Sequence, residues 1–591
     1  MDKFIAELGL NVAFRKSTPL SESKPPLPEP APGTIKLEKG SVNAEGAYPL
    51  PCDILLQRDV SIPMRDGNQL LADIYRPVDV ESVPAIVAYT QYSKRGGYWN
   101  EEYAPARNIL RVPASYFSGL DSFEAPDPGY WCEHGYAVVV IDAAGTGYSG
   151  GDAKFQGTAV GRDVYDAIEW IAEQDWSTGK IGMNGNSYLA ANQWGVAALQ
   201  PPHLTAIAPW EGLSDFYRNN LFRGGIRENG PFWNDIHSHL HGQGLEEDTV
   251  HENGDRFPLF NAYWADKVAD LSSISIPAYV VASWSNAIHT HGTIQAFREI
   301  SSEHKWLRVH NNIEWIDISD PDSQADLRKF FDHYLKGVDN GWEKTPPVRL
   351  SVLDPGGADV VGRAEQEWPL ARQQWRTLKL DAATGALTDG EVEQEHVAAY
   401  DSEDRDASVK FSFVATEEIE VTGYLNLHLW VEAADAQDMD LFAALYKENA
   451  DGKRMHHLSV RDPAVRSFIK SQEKDGKLPG PISYAGPTGR LRVSHRALDP
   501  VRSTPAEPFL THEKEELLEP GSVVPVELSL WPTSMVVHAG ERLVVEIAGH
   551  PVGPVNPNGF ANPNMPTRNR GEHRIHTGGS FDSHLLLPVV P

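Results

Sequence analysis

The stretch Lys180–Trp194, KIGMNGNSYLAANQW, decides the fold, because an apolar strand runs through Gly185 into Ser187 and a helical pattern begins at once. A serine on such a sharp strand-to-helix turn is held away from the backbone, beside a helix N-terminus. Gly185 supplies the small residue that the turn needs, but Leu189 stands where a second glycine is usual. The motif predicts a nucleophilic Ser187, with an ordinary helix N-cap serine as the alternative.

Short runs rich in Val, Ile and Ala lie on both sides of this turn along the chain. Their hydrophobicity is continuous rather than alternating, which is typical of strands covered on both faces in a parallel sheet. Helical patterns separate them, so the sequence predicts a doubly wound α/β domain. The runs are Pro84–Tyr89, Tyr136–Asp142, Lys180–Asn184, Ala278–Ser283 and Trp306–His310, and the helical patterns include Asp163–Gln174 and Asp326–Gly337.

Three other regions depart from this alternation. Residues 1–50 are predicted as an N-terminal arm, because LSESKPPLPEPAPG holds too many prolines for helix or sheet. Residues 211–272, rich in aromatic residues and histidine, are predicted as a helical cap inserted between residues 51–210 and 273–345 of the α/β domain. After residue 346, alternating runs separated by Pro and Gly predict a β-sandwich or jelly roll over 346–591.

The composition limits the classes of partner. The chain of 591 residues has 82 acidic against 52 basic side chains, a net charge of -30 that disfavours nucleic acid and anionic membranes. Neither a secretory signal nor a run of 18 uncharged apolar residues is present. Cys52 and Cys132 lie far apart and are expected as free thiols. We therefore expect a cytoplasmic protein with a small-molecule substrate, and the edges of the β module leave room for a homodimer.

Further motifs lie along most of the chain, namely IPMRDG at 62–67, YTQYSKRG at 89–96, DAAGTGYSGG at 142–151, APWEGLSDFYR at 208–218 and ASWSN at 282–286. Together with the serine turn they resemble the CocE/NonD family of acyl hydrolases, which is related to α-amino-acid ester hydrolases and X-prolyl dipeptidyl peptidases. The resemblance covers about residues 54 to 591. It implies an α/β-hydrolase core, an inserted helical cap and a C-terminal β jelly-roll domain, in agreement with the patterns above.

The resemblance also implies roles for residues at the matching positions. Ser187 corresponds to the nucleophile, and the backbone N–H of Tyr188 and the hydroxyl of Tyr92 correspond to the donors that bind an oxyanion. Two such prearranged donors are worth roughly 3 to 4 kcal/mol each. The family's Gly-Trp-x-Asp pattern is SWSN here, so that Asn286 stands in place of the acid. Asparagine can orient an imidazole, although in serine proteases this exchange costs about 10⁴ in kcat.

The histidine position departs from the family as well. Its Gly-Pro-Trp-x-His segment is replaced by HNNIEW, with Ile313 and Glu314 at the aligned positions. His310, at a strand end, is therefore the predicted base, oriented by Asn286. Other candidates remain open, which are His289 and His291 as the base and Glu314, Asp317 and Asp320 as the acid.

These residues predict a serine hydrolase that cleaves an ester, or secondarily an amide, of a small organic molecule through an acyl-enzyme. The altered acid and histidine positions leave two alternatives: an acyltransferase, cyclase or lyase of small-molecule biosynthesis, and a ligand-binding relative without catalysis. The aromatic side chains of the cap suit a bulky apolar ligand. The predicted substrate-binding residues are Phe216, Tyr217, Phe232, Trp233 and Trp264.

Two motifs predict no site. The G-x-G-x-x-G pattern at 145–150 follows a strand, but the next helical pattern begins only near Arg162, so dinucleotide binding is not expected. His237 and His241 would share one helical face, yet no third zinc ligand is evident. We expect no metal and no cofactor.

Overall fold

The computed structural model describes the whole chain except residues 25, 102–110, 231, 234–239, 472–482, 554–561 and 563. The strands up to residue 365 are β1 (Asp2–Ile5), β2 (Leu10–Lys16), β3 (Gly33–Leu37), β4 (Ile54–Pro63), β5 (Gln69–Pro77), β6 (Val83–Thr90), β7 (Ala137–Asp142), β8 (Ser177–Asn186), β9 (Leu204–Trp210), β10 (Leu245–Glu247), β11 (Ala278–Ser283), β12 (Lys305–His310), β13 (Val348–Val352) and β14 (Val360–Glu365). The α-helices are α1 (Pro128–Glu133), α2 (Thr158–Ala172), α3 (Tyr188–Ala198), α4 (Glu252–Arg256), α5 (Ala262–Ala265), α6 (Thr290–Glu299), α7 (Glu314–Asp317), α8 (Pro321–Lys336) and α9 (Pro463–Ser471).

One large sheet forms the centre of the molecule, in the order β14-β13-β12-β11-β9-β8-β6-β7-β5-β4-β3. From β13 to β7 neighbouring strands are parallel. Every residue of β6, β7 and β11 is buried, as expected for strands covered on both faces. The predicted doubly wound α/β domain is confirmed, and its carboxyl-end loops after β8, β9, β11 and β12 lie at one edge of the sheet.

Residues 1–50, which were predicted as an extended arm, contain the three strands β1, β2 and β3. β1 and β2 form an antiparallel hairpin, β2 also pairs with β10 of the cap, and β3 adds to the edge of the central sheet. Val12 and Phe14 of β2 are buried among the aromatic side chains of the cap, which explains why this end is folded. The proline-rich part contains only the 3₁₀ turn Leu20–Glu22 among its described residues.

The region predicted as a helical cap has little regular helix. Its described elements are the π-helical turn Tyr217–Leu221, the 3₁₀ turns Arg223–Gly225 and Leu271–Ser273, the strand β10 and the short helices α4 and α5. Contacts between aromatic rings, such as Phe216 with Trp233 and Tyr217 with Phe222, hold this region together. Because these contacts need no helical period, the sequence pattern did not specify where helices would form.

The remaining strands build a second, mostly antiparallel β domain, and the predicted all-β module is confirmed. They are β15 (Gln374–Asp381), β16 (Ala386–Thr388), β17 (His396–Asp401), β18 (Ser408–Val414), β19 (Ile419–Ala433), β20 (Asp440–Glu448), β21 (His457–Leu458), β22 (Ser483–Tyr484), β23 (Thr488–Arg492), β24 (Val523–Val537), β25 (Arg542–Ala548), β26 (Glu572–Thr577) and β27 (His584–Val590). They follow the order β17-β26-β19-β27-β15-β16-β18-β25-β20-β23, and β24 pairs with β19. Inward-facing aliphatic side chains of these strands form a core of their own.

Both cysteines are free thiols, Cys132 buried and Cys52 half-buried. Burial raises the pKa of the Cys132 thiol well above its usual value, so it stays protonated. Among the described helices, none combines the length and the apolar character that a bilayer crossing requires.

Candidate active site

The turn between β8 and α3 places Ser187 at the carboxyl edge of the central sheet. Ser187 has a positive φ of 55° with ψ of -117°, and α3 begins at the next residue, Tyr188. The backbone N–H of Ser187 donates to the carbonyl of Glu211 at 3.2 Å, and that of Asn186 donates to the carbonyl of Glu124 at 3.1 Å. These bonds fix a backbone conformation that is costly for a non-glycine residue and is found mainly at functional sites.

Tyr92, in the loop after β6, lies beside the nucleophile turn. The side chains of Gln91 and Ser187 are near enough to its hydroxyl to influence its pKa. Its ring packs edge-on against Phe123 and Tyr188, with centroid distances of 5.5 Å and 6.3 Å. Burial raises the pKa of Tyr92 well above its usual value, so the hydroxyl keeps its proton as a donor. Tyr188 is the first residue of α3, and such N–H groups have no partner within their own helix.

His310 does not take the predicted place beside Asn286. It is the last residue of β12 and 2% exposed, with Nε2 2.9 Å from Glu211 Oε1 and 3.6 Å from Asp317 Oδ2. Its Nδ1 accepts the N–H of Asn312 at 3.2 Å. An Nδ1 that accepts leaves the proton on Nε2, facing the carboxylates. Nε2 lies close to both carboxylates but forms no hydrogen bond with either, and His310 stays buried at the end of its strand.

Asn286 instead pairs with Glu314. Its Nδ2 donates to Glu314 Oε2 at 2.9 Å, while its Oδ1 accepts the N–H groups of Ile288 and His289 at 2.9 Å and 3.1 Å. The predicted contact between Asn286 and His310 is therefore replaced by an asparagine–carboxyl contact. The sequence had offered Glu314 only as a substitute acid, although its place in the loop after β12 is where the resemblance expects the histidine.

Glu314 lies in an acidic surrounding. It is 3% exposed, and burial, followed by the negative charges of Glu211 and Glu124, raises its pKa well above the usual value. Burial likewise raises the pKa of Glu124 to about 8, while Trp315 Nε1 donates to its Oε1 at 2.8 Å. Glu211 and Glu124 are also the residues whose carbonyls hold the nucleophile turn. The charge of Glu314 therefore interacts with the two residues that hold that turn.

The other candidate bases are less suited to catalysis. His289 is buried with Nε2 3.6 Å from Glu314 Oε2, and burial lowers its pKa to about 3. The ring of His291 stacks on Trp531, with a centroid distance of 5.9 Å. Its pKa also falls to about 3, chiefly through burial. Both imidazoles are neutral at physiological pH, and each serves the packing of α6.

The other candidate acids have structural partners. Asp317 forms a two-fold ion pair with Arg308, with oxygen–nitrogen distances of 2.9 Å and 2.6 Å. Asp320 caps α8 by accepting the N–H of Asp322 at 2.9 Å. These contacts account for both carboxylates without a catalytic role.

A cavity of about 220 Å³ opens where the edge of the central sheet, the cap and the β domain meet. Two of the predicted substrate-binding residues, Phe232 and Trp233, line it. Asn286 and Glu314 line it on the side of the central sheet, whereas Ser187, which is half-buried, is not among its lining residues. The cavity therefore brings the asparagine–carboxyl pair together with part of the predicted aromatic wall.

The other three predicted substrate-binding residues belong to the interior of the cap, which corrects their assignment. Phe216, Tyr217 and Trp264 are 0%, 1% and 0% exposed. Trp264 Nε1 donates to the carbonyl of Phe257 at 2.7 Å, and the hydroxyl of Tyr217 donates to the carbonyl of Pro258 at 2.8 Å. Aromatic side chains with satisfied polar atoms and no exposed surface are core residues.

The glycine-rich turn at 145–150 closes on itself. The N–H of Gly145 donates to the carbonyl of Gly150 at 3.0 Å. A Cβ atom on Gly145 would overlap the backbone nitrogen of Ala153, so this glycine serves close packing of two chain segments. The next helix after this turn, α2, begins only at Thr158.

Of the histidines considered for zinc, His237 and His239 lie outside the described residues. His241 Nδ1 lies 3.3 Å from the carbonyl of Pro19. Within the described ranges, no group of three or more potential ligands is close enough to hold a metal ion.

Comparison with protein families gives two matches that divide the chain. Residues 66–313 match the X-Pro dipeptidyl-peptidase (S15 family) and residues 340–586 match the X-Pro dipeptidyl-peptidase C-terminal non-catalytic domain. The first match ends one residue before Glu314.

Individual relatives extend over nearly the whole chain. The crystal structure of a CocE/NonD family hydrolase from Staphylococcus aureus is 33% identical, with a TM-score of 0.84 over 98% of this chain and 99% of that chain. The cocaine esterase of Rhodococcus sp. (strain MB1 Bresler) is 23% identical over 90% of this chain and 98% of its own length. An α-amino acid ester hydrolase, at 16% identity, shares the fold with a TM-score of 0.65 over 91% of this chain and 97% of that chain.

Proposed function

Because the chain belongs to the CocE/NonD family of hydrolases, we propose that it cleaves an ester of a small organic molecule through an acyl-enzyme on Ser187. The observation that carries the proposal is the strained turn at Ser187, beside which the ring of Tyr92 packs against Tyr188. The name of the cocaine esterase supports an ester, while the peptidase names of the two family matches keep an amide as the second substrate class. The same comparisons favour hydrolysis over acyl transfer, lyase chemistry or ligand binding without catalysis.

Acylation begins when Ser187 Oγ attacks the ester carbonyl carbon and a base takes its proton. The carbonyl oxygen becomes an oxyanion, which the hydroxyl of Tyr92 and the N–H of Tyr188 bind through hydrogen bonds. Collapse of this intermediate breaks the carbon–oxygen bond to the alcohol, which leaves with the proton from the base. Water then attacks the acyl-enzyme by the same route, releasing the carboxylic acid and restoring the serine proton.

We assign the base to Glu314, with Asn286 as its positioning residue. Glu314 and Ser187 follow the carboxyl ends of β12 and β8, which lie at the same edge of the sheet. The hydrogen bond from Asn286 Nδ2 holds the carboxyl in place, and its raised pKa brings it nearer to the operating pH that a general base needs. His310, buried with its Nε2 facing Glu211 and away from Asn286, is left as a structural residue.

The proposal also covers the cellular compartment and the oligomeric state. Free Cys52 and Cys132 support a reducing compartment, the cytoplasm. The edge strand β14 exposes Val360 and Val361, which are 52% and 53% accessible and support pairing with a second copy. Light scattering that gives a single monomer mass over a wide concentration range would reject the dimer.

The nucleophile is tested by intact-mass analysis after exposure to a fluorophosphonate, with hydrolysis of 4-nitrophenyl esters measured in parallel. We expect one adduct in the wild-type protein and neither adduct nor hydrolysis in Ser187→Ala. Ser177→Ala, at the far end of the same strand, is the matched control and should retain both. Tyr92→Phe removes one oxyanion donor and should lower kcat by roughly 10²–10³. An adduct that persists in Ser187→Ala would refute the assignment.

A further inference from the structure

Arg223 is a cation in the wall of the 220 Å³ cavity. It begins the 3₁₀ turn Arg223–Gly225 of the cap and is half-buried. Its Nη2 donates to the carbonyl of Thr488, and its guanidinium carbon lies 4.1 Å from the centre of the Trp531 ring. In the described part of the chain, no carboxylate forms an ion pair with it, so its charge is compensated only by a carbonyl and an aromatic face.

The neighbouring Arg490 has the partners that Arg223 lacks. Its Nη1 lies 3.3 Å from Glu228 Oε2, while its Nη2 and Nε donate to the carbonyls of Asn220 and Arg223, both at 3.0 Å. The carboxylate of Glu228 is thus taken up by Arg490. Burial, followed by the charge of Arg490, lowers the pKa of Arg223 well below its usual value. A second cation close by makes an anion at Arg223 favourable.

We propose that the cavity binds its substrate through a carboxylate group that pairs with Arg223. A planar guanidinium with free N–H groups matches a carboxylate in two parallel hydrogen bonds. One unpaired guanidinium supplies one positive charge, which suits a monoanion rather than a phosphate dianion. Phe232, Trp233 and Trp531 line the same cavity and provide apolar surface for the carbon skeleton between carboxylate and ester.

This inference rests on the proposed function at one point only, namely which end of the substrate reacts. Asn286 and Glu314 line the same cavity as Arg223. A substrate whose carboxylate meets Arg223 therefore presents its other end to the asparagine–carboxyl pair. The substrate class is an ester of a molecule that already bears a carboxylate, such as the monoester of a dicarboxylic acid. Hydrolysis would release an alcohol and the free dicarboxylic acid.

The binding step can be tested without catalysis, by calorimetry with benzoate and with its neutral isostere benzamide on the full-length protein at neutral pH. We expect benzoate to bind and benzamide to bind at least about tenfold more weakly, as for loss of a hydrogen bond to a charged group. Arg223→Met should abolish the preference, and Arg223→Lys, which keeps the charge, should retain part of it. Arg574→Met, at a half-buried arginine of the β domain outside the cavity lining, is the matched control and should bind as the wild type does.

The catalytic consequence is measured with two substrates of equal length, the 4-nitrophenyl monoester of glutaric acid and its methyl-capped diester. We expect kcat/KM to favour the monoester by at least about tenfold, and Arg223→Met to remove that ratio by lowering kcat/KM for the monoester more than for the diester. Equal affinity for benzoate and benzamide, or a substrate ratio that survives in Arg223→Met, would overturn the inference.

The two proposals fail in different ways. If Ser187 is not the nucleophile, the fluorophosphonate adduct is absent or persists in Ser187→Ala, but benzoate still binds through Arg223. If Arg223 does not bind a carboxylate, the adduct forms on Ser187 as expected and only the preference for anionic ligands is missing. Circular dichroism of each variant identifies a folding failure, in which case Arg223→Lys against the wild type still decides the binding question.

Discussion

At the scale of single residues, Glu314 sets the chemistry that the site can perform. A carboxyl accepts a proton only when ionised, and an ordinary glutamate would be too weak a base at neutral pH. Burial and the charges of Glu211 and Glu124 oppose ionisation of Glu314, whereas the hydrogen bond from Asn286 favours it. The balance of these effects raises its pKa, which strengthens the base but confines it to higher pH.

The pH dependence follows from this balance. Because the active form is the ionised carboxylate and its pKa is raised, we expect kcat/KM to fall on acidification at a pH above the normal range of glutamate. Glu314→Gln should lower kcat/KM by roughly 10²–10⁴ and remove this acidic limb. Asn286→Ala, which deletes a bond to the ionised form, should shift the limb to higher pH. Glu303→Gln, an exposed glutamate, is the control; a profile in Glu314→Gln that matches the wild type would exclude Glu314 as the base.

The sequence could identify some residues of this site, but it could not show which of them pair with each other. Ser187 was predictable because the turn is encoded within a few residues, and Tyr92 because a local motif carries it. The bond between Asn286 and Glu314 joins residues 28 positions apart. The sequence placed His310 at the end of its strand and Glu314 beyond it, as the structure does. Which of the two meets Asn286 depends on how the loops after β11 and β12 pack, and a hydrophobic pattern does not contain that information.

At the scale of elements, the predicted and observed strands and helices agree where burial determines the spacing of apolar residues. The predicted strand Ala278–Ser283 coincides with β11, and the predicted helix over 326–337 is the second half of α8. The first turn of α8 escaped prediction, since its start is set by the Asp320 cap and Pro321 rather than by apolar spacing. The cap was predicted as helical because the segment is too long for a loop between two strands, and its aromatic contacts produced short turns instead.

The turn at the end of β8 gives a prediction about glycine. A Cβ atom on Gly185, where φ is 154°, would lie 2.5 Å from Leu189 Cβ and 3.1 Å from the carbonyl oxygen of Glu124. Gly185→Ala should therefore destabilise the protein by about 1–3 kcal/mol and reduce fluorophosphonate labelling, because the turn must shift. Gly195→Ala, within α3 and 3.9 Å from its nearest neighbour, should stabilise by about 0.5–1 kcal/mol. Thermal unfolding of both variants measures the difference, and equal effects would contradict the packing argument.

At the scale of the whole molecule, the two domains are joined by backbone as well as side chains. Leu353, just after β13, donates its N–H to Ser534 of β24 and accepts the N–H of Val536, both at 2.9 Å. Beside this junction Lys447 is 1% exposed, with Nζ 2.6 Å from Asp354 Oδ1 and 3.0 Å from Glu541 Oε2. The central sheet and the β domain therefore share a buried ionic contact at their boundary.

Removing the cation at this boundary should weaken the whole assembly. Lys447→Met removes the buried cation shared by two carboxylates, of which Asp354 keeps His538, and we expect a loss of about 3 kcal/mol at neutral pH, seen as a lower Tm. Asp354 has a lowered pKa, so its contribution exists above the unfolded-state pKa and is lost as pH falls through the folded one. The variant should therefore differ less from the wild type in acid than at neutral pH. Lys410→Met, whose side chain is 54% exposed, should cost less than about 1 kcal/mol; a similar loss in both variants would contradict the buried-pair argument.

The pairing of β2 with β10 has a consequence for biosynthesis. The two strands are about 230 residues apart in the chain, yet they lie side by side. At roughly 5–20 residues per second, a ribosome completes β10 about 10–50 seconds after β2. For most of that interval, until Phe216 and the aromatic residues after it are made, Val12 and Phe14 have no cap aromatic residue against which to pack. The hairpin can therefore reach its native position only late in translation, after the strand that pairs with it has been synthesised.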